Sequence, residues 1–304
     1  MKNICLCCGK ELKNTNQIWH PACIKKMFGQ SQMPNFDLDI DRIVDENLNK
    51  SEVVTGVQKK LSLASKAFKV RKTLASSNDE FIVKIQEDVF PNITLFEWIG
   101  MRLANICGIE TVECGIVPIN NEYIFITKRI DRSNNKKIPM EDFCQLSNSQ
   151  TEYKYNGSYE RCYKNVIKKY SDYETIDKIK FYNLVLFSYI IGNTDMHLKN
   201  FSLYENNGHY QLTPAYDLVP VLMVFNQQEM ALTINGKNKN LTKNDFYSFG
   251  FSMDIDKNIL DKIHAKYLNY LDKMICFIND TKLSDNDKKK FIELITANVN
   301  KLCK

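Results

Sequence analysis

The spacing of apolar residues predicts strands on both sides of one helix in the first half of the chain. Two β-type segments, "VVTGVQKKLSL" and "EFIVKIQ", flank a basic polar stretch, which indicates a hairpin or meander. Apolar residues then recur at helical spacing over residues 91–108, where Thr94 is a candidate cap and Glu97 falls in the first predicted turn. The segments "TVECGIVPI" and "EYIFITKRI" return to strand character.

Beyond residue 140 the pattern is helical. The segment "ETIDKIKFYNLVLFSYII" is too apolar along its second half to lie on a surface, and further helices are predicted near residues 255–280 and 283–302. A mixed lobe followed by a mostly helical lobe indicates an α+β fold, with a cleft expected between the lobes. We predict a small Cys/His module at residues 1–30, an N-lobe at residues 35–140 and a helical C-lobe at residues 141–304.

Composition limits the class of protein. The 304 residues are 44% hydrophobic and 25% charged, as in folded globular proteins, and the net charge of +5 is mild for this length. Neither nucleic acid nor a membrane surface is therefore expected as a direct partner. The first residues lack the apolar core of a secretory signal, and no apolar run reaches the roughly 18 residues of a membrane span. We expect a cytoplasmic protein with reduced thiols.

A polar string, "GNTDMHLKNFSL", follows the most apolar helical segment directly. A surface turn would explain it, because Gly192 ends a helix well and the polar groups would face water. Asp195 and Asn200 are also five residues apart, which is the spacing of the catalytic base and the metal-binding amide in the catalytic loop of protein kinases. The string therefore predicts either a plain turn or a phosphoryl-transfer loop.

Other residues supply the remaining groups that transfer from ATP requires. Lys84 lies in the predicted strand "FIVKI" and Glu97 lies 13 residues later in a predicted helix, as in the lysine–glutamate pair of kinases. Asp217 in "PAYDLVP" is a candidate second magnesium ligand. Each residue alone has a plain structural explanation, such as a solvated strand lysine or helix face. Their order along the chain favours a kinase.

The phosphate-binding loop departs from the ordinary kinase pattern. A glycine-rich loop should precede Lys84, but the stretch "TGVQKKLSLASK" contains one glycine. Here the chain resembles the HipA-like serine/threonine kinases of bacterial toxin–antitoxin systems. The resemblance rests on "TGVQKKLSL", "FIVKI", "FITKRIDR", "MEDFCQL", "IGNTDMHLKNFSL", "PAYDLVP" and "ALTINGKNKNLTKNDF", in that order.

The resemblance implies a two-lobed protein-kinase-like fold, with ATP and Mg²⁺ as cofactors. It implies that Asp195 is the catalytic base and that Asn200 and Asp217 hold Mg²⁺. The residues implied to bind ATP are Gly56, Val57, Gln58 and Lys84, with Glu97 as the partner of Lys84. His197 and Lys199 match polar positions of the same loop, where either would approach the γ-phosphate. The alternative for His197 is a structural histidine that is hydrogen-bonded to the backbone. Arg129 and Asp131 match a signature that we interpret as an interlobe ion pair.

Family membership also implies biological partners. Full-length members carry an additional N-terminal subdomain, for which this chain has too few residues, so it resembles the short HipT type in which that piece is a separate small protein. The implied partners are antitoxins and a protein substrate, an aminoacyl-tRNA synthetase whose phosphorylation inhibits translation. The resemblance also implies autophosphorylation near the phosphate loop, with Ser51, Thr55 and Ser62 as candidates or as simple turn residues. A small-molecule or lipid kinase and an inactive kinase-like scaffold are the alternatives.

The first 23 residues contain a set of soft metal ligands. Cys5 and Cys8 form C-x-x-C, and His20 and Cys23 form H-x-x-C eleven residues later, at spacing suited to tetrahedral zinc. A module this small has little core of its own, so a metal would explain why it folds. The alternative is reduced thiols in a flexible appendage, and Cys7 beside Cys8 complicates the ligand choice. We predict zinc.

Overall fold

The computed structural model describes residues 2–34, 60–63, 80–86, 89–119, 122–133, 136–225 and 227–304. The chain divides into two compact units. Unit 1 comprises Met1–Arg102 and Val112–Lys137, and unit 2 comprises Leu103–Thr111 and Ile138–Lys304. No helix among these described residues is both long and apolar enough to cross a membrane.

Unit 1 is built on a four-stranded antiparallel sheet. Its strands are β1 (Lys60–Leu63), β2 (Phe81–Lys84), β3 (Cys114–Ile119) and β4 (Glu122–Lys128), in the order β1-β2-β4-β3. The unit also contains the helix α1 (Pro21–Phe28) and the first ten residues of the helix α2 (Ile93–Ile106), whose last turn is assigned to unit 2. A short ribbon pairs β5 (Arg132–Ser133) with β6 (Lys136–Lys137). The predicted order of strands and helix is therefore confirmed among these residues.

The start of α2 differs from the prediction. The helix begins at Ile93, after Asn92 adopts a left-handed conformation with φ of 61°, so Thr94 lies inside the first turn and is not the cap. The Thr94 hydroxyl instead donates to the backbone oxygen of Tyr123 at 2.7 Å, which joins α2 to β4. Glu97 consequently lies one turn into the helix rather than in its first turn.

Unit 2 is mostly helical, as predicted. Its helices are α3 (Phe143–Leu146), α4 (Tyr159–Cys162), α5 (Lys168–Tyr170), α6 (Glu174–Ile191), α7 (Val221–Val224), α8 (Lys243–Ser252), α9 (Lys257–Asp280) and α10 (Asp285–Cys303). The apolar half of α6 is the centre of the core, and its fully buried side chains include Phe181, Tyr182, Val185, Leu186, Phe187, Ile190 and Ile191.

A three-stranded sheet in unit 2 was not predicted. It contains β7 (Met140–Asp142), β8 (Ser202–Asn206) and β9 (His209–Leu212), all antiparallel. Asn207 and Gly208 make the tight turn between β8 and β9 with φ values of 54° and 81°, as an Asn-Gly hairpin requires. This dipeptide was a usable signal in the sequence. The prediction of a mostly helical lobe named no strand after residue 140, so this sheet was missed.

Candidate functional site

A buried ion pair lies inside unit 1. Lys84 ends β2 and its Nζ lies 2.5 Å from Oε1 of Glu97 on α2, with side chains only 6% and 1% exposed. The ring of Phe125, the register partner of Lys84 on β4, lies 5.5 Å from Nζ. The predicted pairing of Lys84 with Glu97 is thus present. A buried lysine held by one carboxylate is a fixed positive charge, which is what binding of nucleotide phosphates requires.

The polar string 192–203 forms an ordered loop in unit 2 rather than an open turn. α6 ends at Gly192, whose φ of 74° lets the chain turn where a Cβ would lie 2.9 Å from Leu294. The backbone N–H of His197 then donates to the Asp195 oxygen, and the N–H of Asn200 donates to the His197 oxygen, both at 2.9 Å. These bonds fold the D-x-x-x-x-N stretch into a compact turn.

Asn200 holds this turn closed. Its side-chain Nδ2 donates to the backbone oxygen of Asp195 at 2.8 Å, and the residue is buried. Because the amide nitrogen is committed to Asp195, the orientation of the amide is set and Oδ1 is its remaining ligand atom.

Asn193 connects the two acidic segments. Its Oδ1 accepts from the Asp195 N–H, and its Nδ2 donates to the backbone oxygen of Asp217, each at 3.3 Å. Asp217 adopts a left-handed conformation with φ of 60°, which is uncommon for a residue other than glycine and is more often seen at functional positions. The sequence interpretation did not identify Asn193. Its signal was its place between the helix-ending glycine and Asp195.

Tyr155 contacts the carboxylate of Asp195 and was also missed. Its hydroxyl donates to Asp195 Oδ1 at 3.0 Å, and its ring packs edge-on against His197 with centroids 5.1 Å apart. Partial burial, together with the charge of Asp195, raises the pKa of Tyr155 to about 12, so the phenol stays protonated at neutral pH. Nothing in the sequence marked this tyrosine, which lies 40 residues before Asp195.

Lys199 and Arg129 have partners of their own. Lys199 Nζ lies 2.7 Å from Oδ2 of Asp142, whose Oδ1 caps α3 by accepting from the Gln145 N–H. Arg129 makes a two-pronged pair with Asp131, at 2.9 and 2.7 Å. Both residues of that pair belong to unit 1 and lie close together after β4, and the interlobe interpretation stays a prediction.

Several predicted site residues lie outside the described part of the chain. They are Gly56, Val57, Gln58, Ser51 and Thr55. Ser62 is described through its backbone alone, as the partner of Ile82 in the β1–β2 ladder.

The amino-terminal cysteine and histidine residues form a cluster. The ligand atoms of Cys5, Cys8, His20 and Cys23 all lie within 4.8 Å of one another. Cys7 is not in this group, although its thiol adjoins that of Cys23; its Sγ also donates to the backbone oxygen of Cys114 at 3.5 Å. The four grouped residues are the predicted set, and their role as metal ligands stays a prediction.

Two solved structures share the fold of this chain. One is HipA of Shewanella oneidensis in complex with HipB and operator DNA, with a TM-score of 0.68 and 20% identity, covering 97% of this chain and 79% of that one. The other is the Helicobacter pylori proinflammatory kinase CtkA, with a TM-score of 0.57 and 15% identity, covering 77% of this chain and 92% of that one. The fold is the two-lobed α+β fold of kinases.

The chain belongs to the HipA-like C-terminal domain family, which matches residues 53–275. A putative kinase of Haemophilus influenzae is 27% identical over 238 residues, which are 68% of each protein. The serine/threonine-protein kinase toxin HipA of Shewanella oneidensis is 25% identical over 248 residues, covering 71% of this chain and 55% of the toxin. A putative kinase of Sinorhizobium fredii is 29% identical over 153 residues, covering 48% of this chain and 37% of that protein. The family resemblance of the sequence is therefore confirmed.

Proposed function

We propose that the protein is an ATP-dependent protein serine/threonine kinase that acts as the toxin of a toxin–antitoxin system. The observation that carries this proposal is the double hydrogen bond of Asn193, which ties the backbone of Asp195 to that of Asp217. A surface turn would not require a link between two acidic segments 22 residues apart. A phosphoryl-transfer site requires both aspartates, Asp195 and Asp217, in one place. The names of the relatives support the same activity.

Asp195 is proposed as the base that accepts the proton of the substrate hydroxyl. The hydroxyl of Tyr155 already donates to its Oδ1, so this carboxylate oxygen is placed to accept from an O–H donor. A serine or threonine hydroxyl bound in place of the tyrosine would transfer its proton to the same oxygen while its own oxygen attacks the γ-phosphorus of ATP. The bond between that phosphorus and the bridging oxygen then breaks, and ADP leaves.

The donor set fits magnesium. Asn200 offers an amide oxygen and Asp217 a carboxylate, which are the hard oxygen ligands that Mg²⁺ prefers. When bound, the ion neutralises charge on the transferred phosphate. The chain's own contribution is to fix the side chain of Asn200 through its bond to Asp195 and the backbone of Asp217 through its bond from Asn193.

Lys84 is proposed to bind the ATP phosphates, with Glu97 orienting its side chain. The residues proposed to cover the phosphates are Gly56, Val57 and Gln58. His197 is buried and packs on Tyr155, which supports a positioning role for this histidine. The ion pair of Lys199 with Asp142 supports a similar role, in which Lys199 fixes the turn and approaches phosphate only when that pair opens.

The partners are proposed from the relatives. The Shewanella HipA structure contains HipB and operator DNA, so we propose an antitoxin partner for this chain. The same complex weighs against the expectation that nucleic acid plays no part, and we do not carry that expectation forward. An aminoacyl-tRNA synthetase as substrate, the HipT type with a separate subdomain-like protein, and autophosphorylation at Ser51, Thr55 or Ser62 remain proposals from the resemblance.

The test uses purified protein, γ-labelled ATP, Mg²⁺ and a cell lysate, followed by mapping of the labelled residue. We expect label on serine or threonine of a lysate protein and on one of Ser51, Thr55 and Ser62, and none with Asp195→Asn. Asp195→Asn preserves the shape of the side chain and leaves its backbone bonds in place, so its melting temperature should match the wild type. Label on a small molecule or lipid would favour that class of kinase. ATP binding without transfer would favour the scaffold.

A further inference from the structure

We propose that Cys5, Cys8, His20 and Cys23 bind one Zn²⁺ ion, and that the metal-bound module stabilises the edge of the unit 1 sheet. The proposal does not depend on the proposed kinase activity. It rests on three features: the arrangement of the ligand atoms, the orientation of the histidine ring, and the packing of the module on β3 and α2.

The ligand atoms are arranged for a tetrahedral ion. Cys8 Sγ lies 3.4 Å and Cys23 Sγ 4.0 Å from Nδ1 of His20, and the full set lies within 4.8 Å. Tetrahedral zinc with bonds of about 2.0 to 2.3 Å separates its ligands by roughly 3.3 to 3.8 Å. Small side-chain movements would therefore close the set around the ion. All four cysteine or histidine side chains are buried or half-buried, as expected for a structural site.

Short backbone features present these ligands. Cys5 and Cys8 lie on a tight turn in which the Gly9 N–H donates to the Cys5 oxygen and the Cys5 N–H donates to the Lys10 oxygen, both at 2.8 Å. His20 precedes α1 and Cys23 lies in its first turn, so one turn and one helix start supply two ligands each. The backbone N–H of His20 also points at Cys5 Sγ, at 3.3 Å, where it would stabilise a thiolate.

The histidine ring is oriented by its second nitrogen. Nε2 of His20 lies 3.1 Å from the backbone oxygen of Glu11, and a carbonyl oxygen accepts a hydrogen bond, so Nε2 carries the proton. Nδ1 then has the free electron pair that a metal requires, and it is the nitrogen that faces Cys8 and Cys23. Metal-bound histidines in proteins are typically fixed by such a bond to the other ring nitrogen.

The module covers the edge strand of the sheet. β3 is an edge strand, and the Ile116 N–H donates to the Leu6 oxygen at 2.9 Å while the indole of Trp19 donates to the Ile116 oxygen at 3.0 Å. Trp19 is 1% exposed, and a Cβ on Gly115 would lie 2.3 Å from its ring. From α2, the indole of Trp98 donates to the Cys7 oxygen at 3.2 Å. The backbone between Cys5 and Cys8 thus contacts both β3 and α2.

Metal binding would therefore stabilise more than the module. A cluster of some 30 residues with few apolar side chains depends on its metal for its shape. Binding through three thiolates and a neutral imidazole releases the three thiol protons to solvent. Without the ion, the metal bonds that link Cys5 and Cys8 to His20 and Cys23 would be missing, and the turn that holds Leu6 and Cys7 against β3 and α2 would be less firmly fixed.

The experiment is metal analysis of the full chain, purified under reducing conditions without chelator, and of four variants. We expect about one zinc per chain in the wild type, and at least a tenfold lower content in Cys8→Ser and Cys23→Ser. Cys276→Ser, at an exposed cysteine on α9, and Cys7→Ser, at a buried cysteine outside the set, should both keep the metal. Removal of zinc by a chelator should lower the melting temperature of the wild type, and added zinc should restore it.

A Co²⁺ titration of the wild type serves as a second measurement that needs no variant. We expect saturation at one equivalent with the absorption of a tetrahedral site containing thiolates, and displacement by Zn²⁺. The proposal is overturned if reduced wild-type protein takes up neither metal, or if Cys8→Ser keeps full zinc content. Loss of zinc from Cys7→Ser but not from Cys23→Ser would also overturn the assigned ligand set.

Discussion

The hydroxyl of Tyr155 donates a hydrogen bond to the carboxylate oxygen Oδ1 of Asp195 at 3.0 Å. In the proposed mechanism a substrate hydroxyl makes this contact with Asp195, so the tyrosine and the substrate would compete for one acceptor. Before any substrate binds, the proposed base thus already accepts a hydrogen bond.

Tyr155→Phe should remove that competition and keep the ring against His197. A hydrogen bond of this kind contributes about 0.5 to 1.5 kcal/mol net, so kcat/KM for a protein substrate should rise by about twofold to tenfold. Tyr153→Phe, at an exposed tyrosine two residues earlier, is the matched control and should leave kcat/KM unchanged. A tenfold fall in Tyr155→Phe would show that the tyrosine positions the substrate instead.

Asn193→Ala should separate the two acidic segments. The side chain is 1% exposed and bonds to the backbone of both Asp195 and Asp217, and loss of these bonds would let the carboxylates shift. Small displacements of reacting groups are costly, so we expect kcat to fall about tenfold or more. Steady-state kinetics measure this, with the exposed Asn156→Ala as the control. Unchanged kcat in Asn193→Ala would remove this residue from the site.

Lys84 and Glu97 should be coupled in stability as well as in function. Removal of one partner leaves a buried charge without compensation, at a cost of about 3 to 5 kcal/mol, whereas removal of both avoids it. The free energy of unfolding should therefore be lower in Lys84→Met and in Glu97→Gln than in the double variant. All three should bind ATP more weakly than the wild type in calorimetry. Additive losses in the double variant would contradict the coupling.

Asp245 should make stability depend on acid pH. Burial raises the pKa of this carboxyl, but hydrogen bonds from Lys237, Thr242 and Asn235 outweigh burial and hold it well below its usual range. Because the folded-state pKa is lowered, the stabilisation is complete above the unfolded value of about 3.9 and is lost as pH falls through the folded value.

Asp245→Asn should therefore be less stable than the wild type at neutral pH, with a difference that narrows below about pH 4. Denaturant unfolding at a series of pH values measures this difference. The exposed Asp272→Asn provides the control. A difference that stays constant from pH 7 to pH 3 would rule out the lowered pKa as its cause.

The regular elements were predictable because their signals are local. The apolar run that became α6 and the alternating segments that became β2, β3 and β4 carry their periodicity within each segment. The hairpin of β8 and β9 also had a local signal in Asn207 and Gly208, and its omission was an error of interpretation rather than a lack of information.

The side-chain contacts of the candidate site were less predictable. The partners of Asp195 and Lys199 lie 40 and 57 residues away in sequence, on Tyr155 and Asp142, and no periodicity links such pairs. The kinase motif supplied Asp195, Asn200 and Asp217 as a set. It did not supply Asn193 or Tyr155, because their roles come from the fold that brings the segments together.

The packing of Trp19 on β3 sets an order of events during synthesis of the protein. The tryptophan precedes its acceptor, Ile116, by 97 residues. At a synthesis rate of about 5 to 20 residues per second, roughly 5 to 20 seconds therefore pass between the synthesis of Trp19 and that of Ile116. Cys5, Cys8, His20 and Cys23 have all been synthesised by residue 23 and need no later segment to meet. The proposed zinc site can therefore form on the nascent chain before β3 is made, and Gly115 then packs against a tryptophan that is already in place.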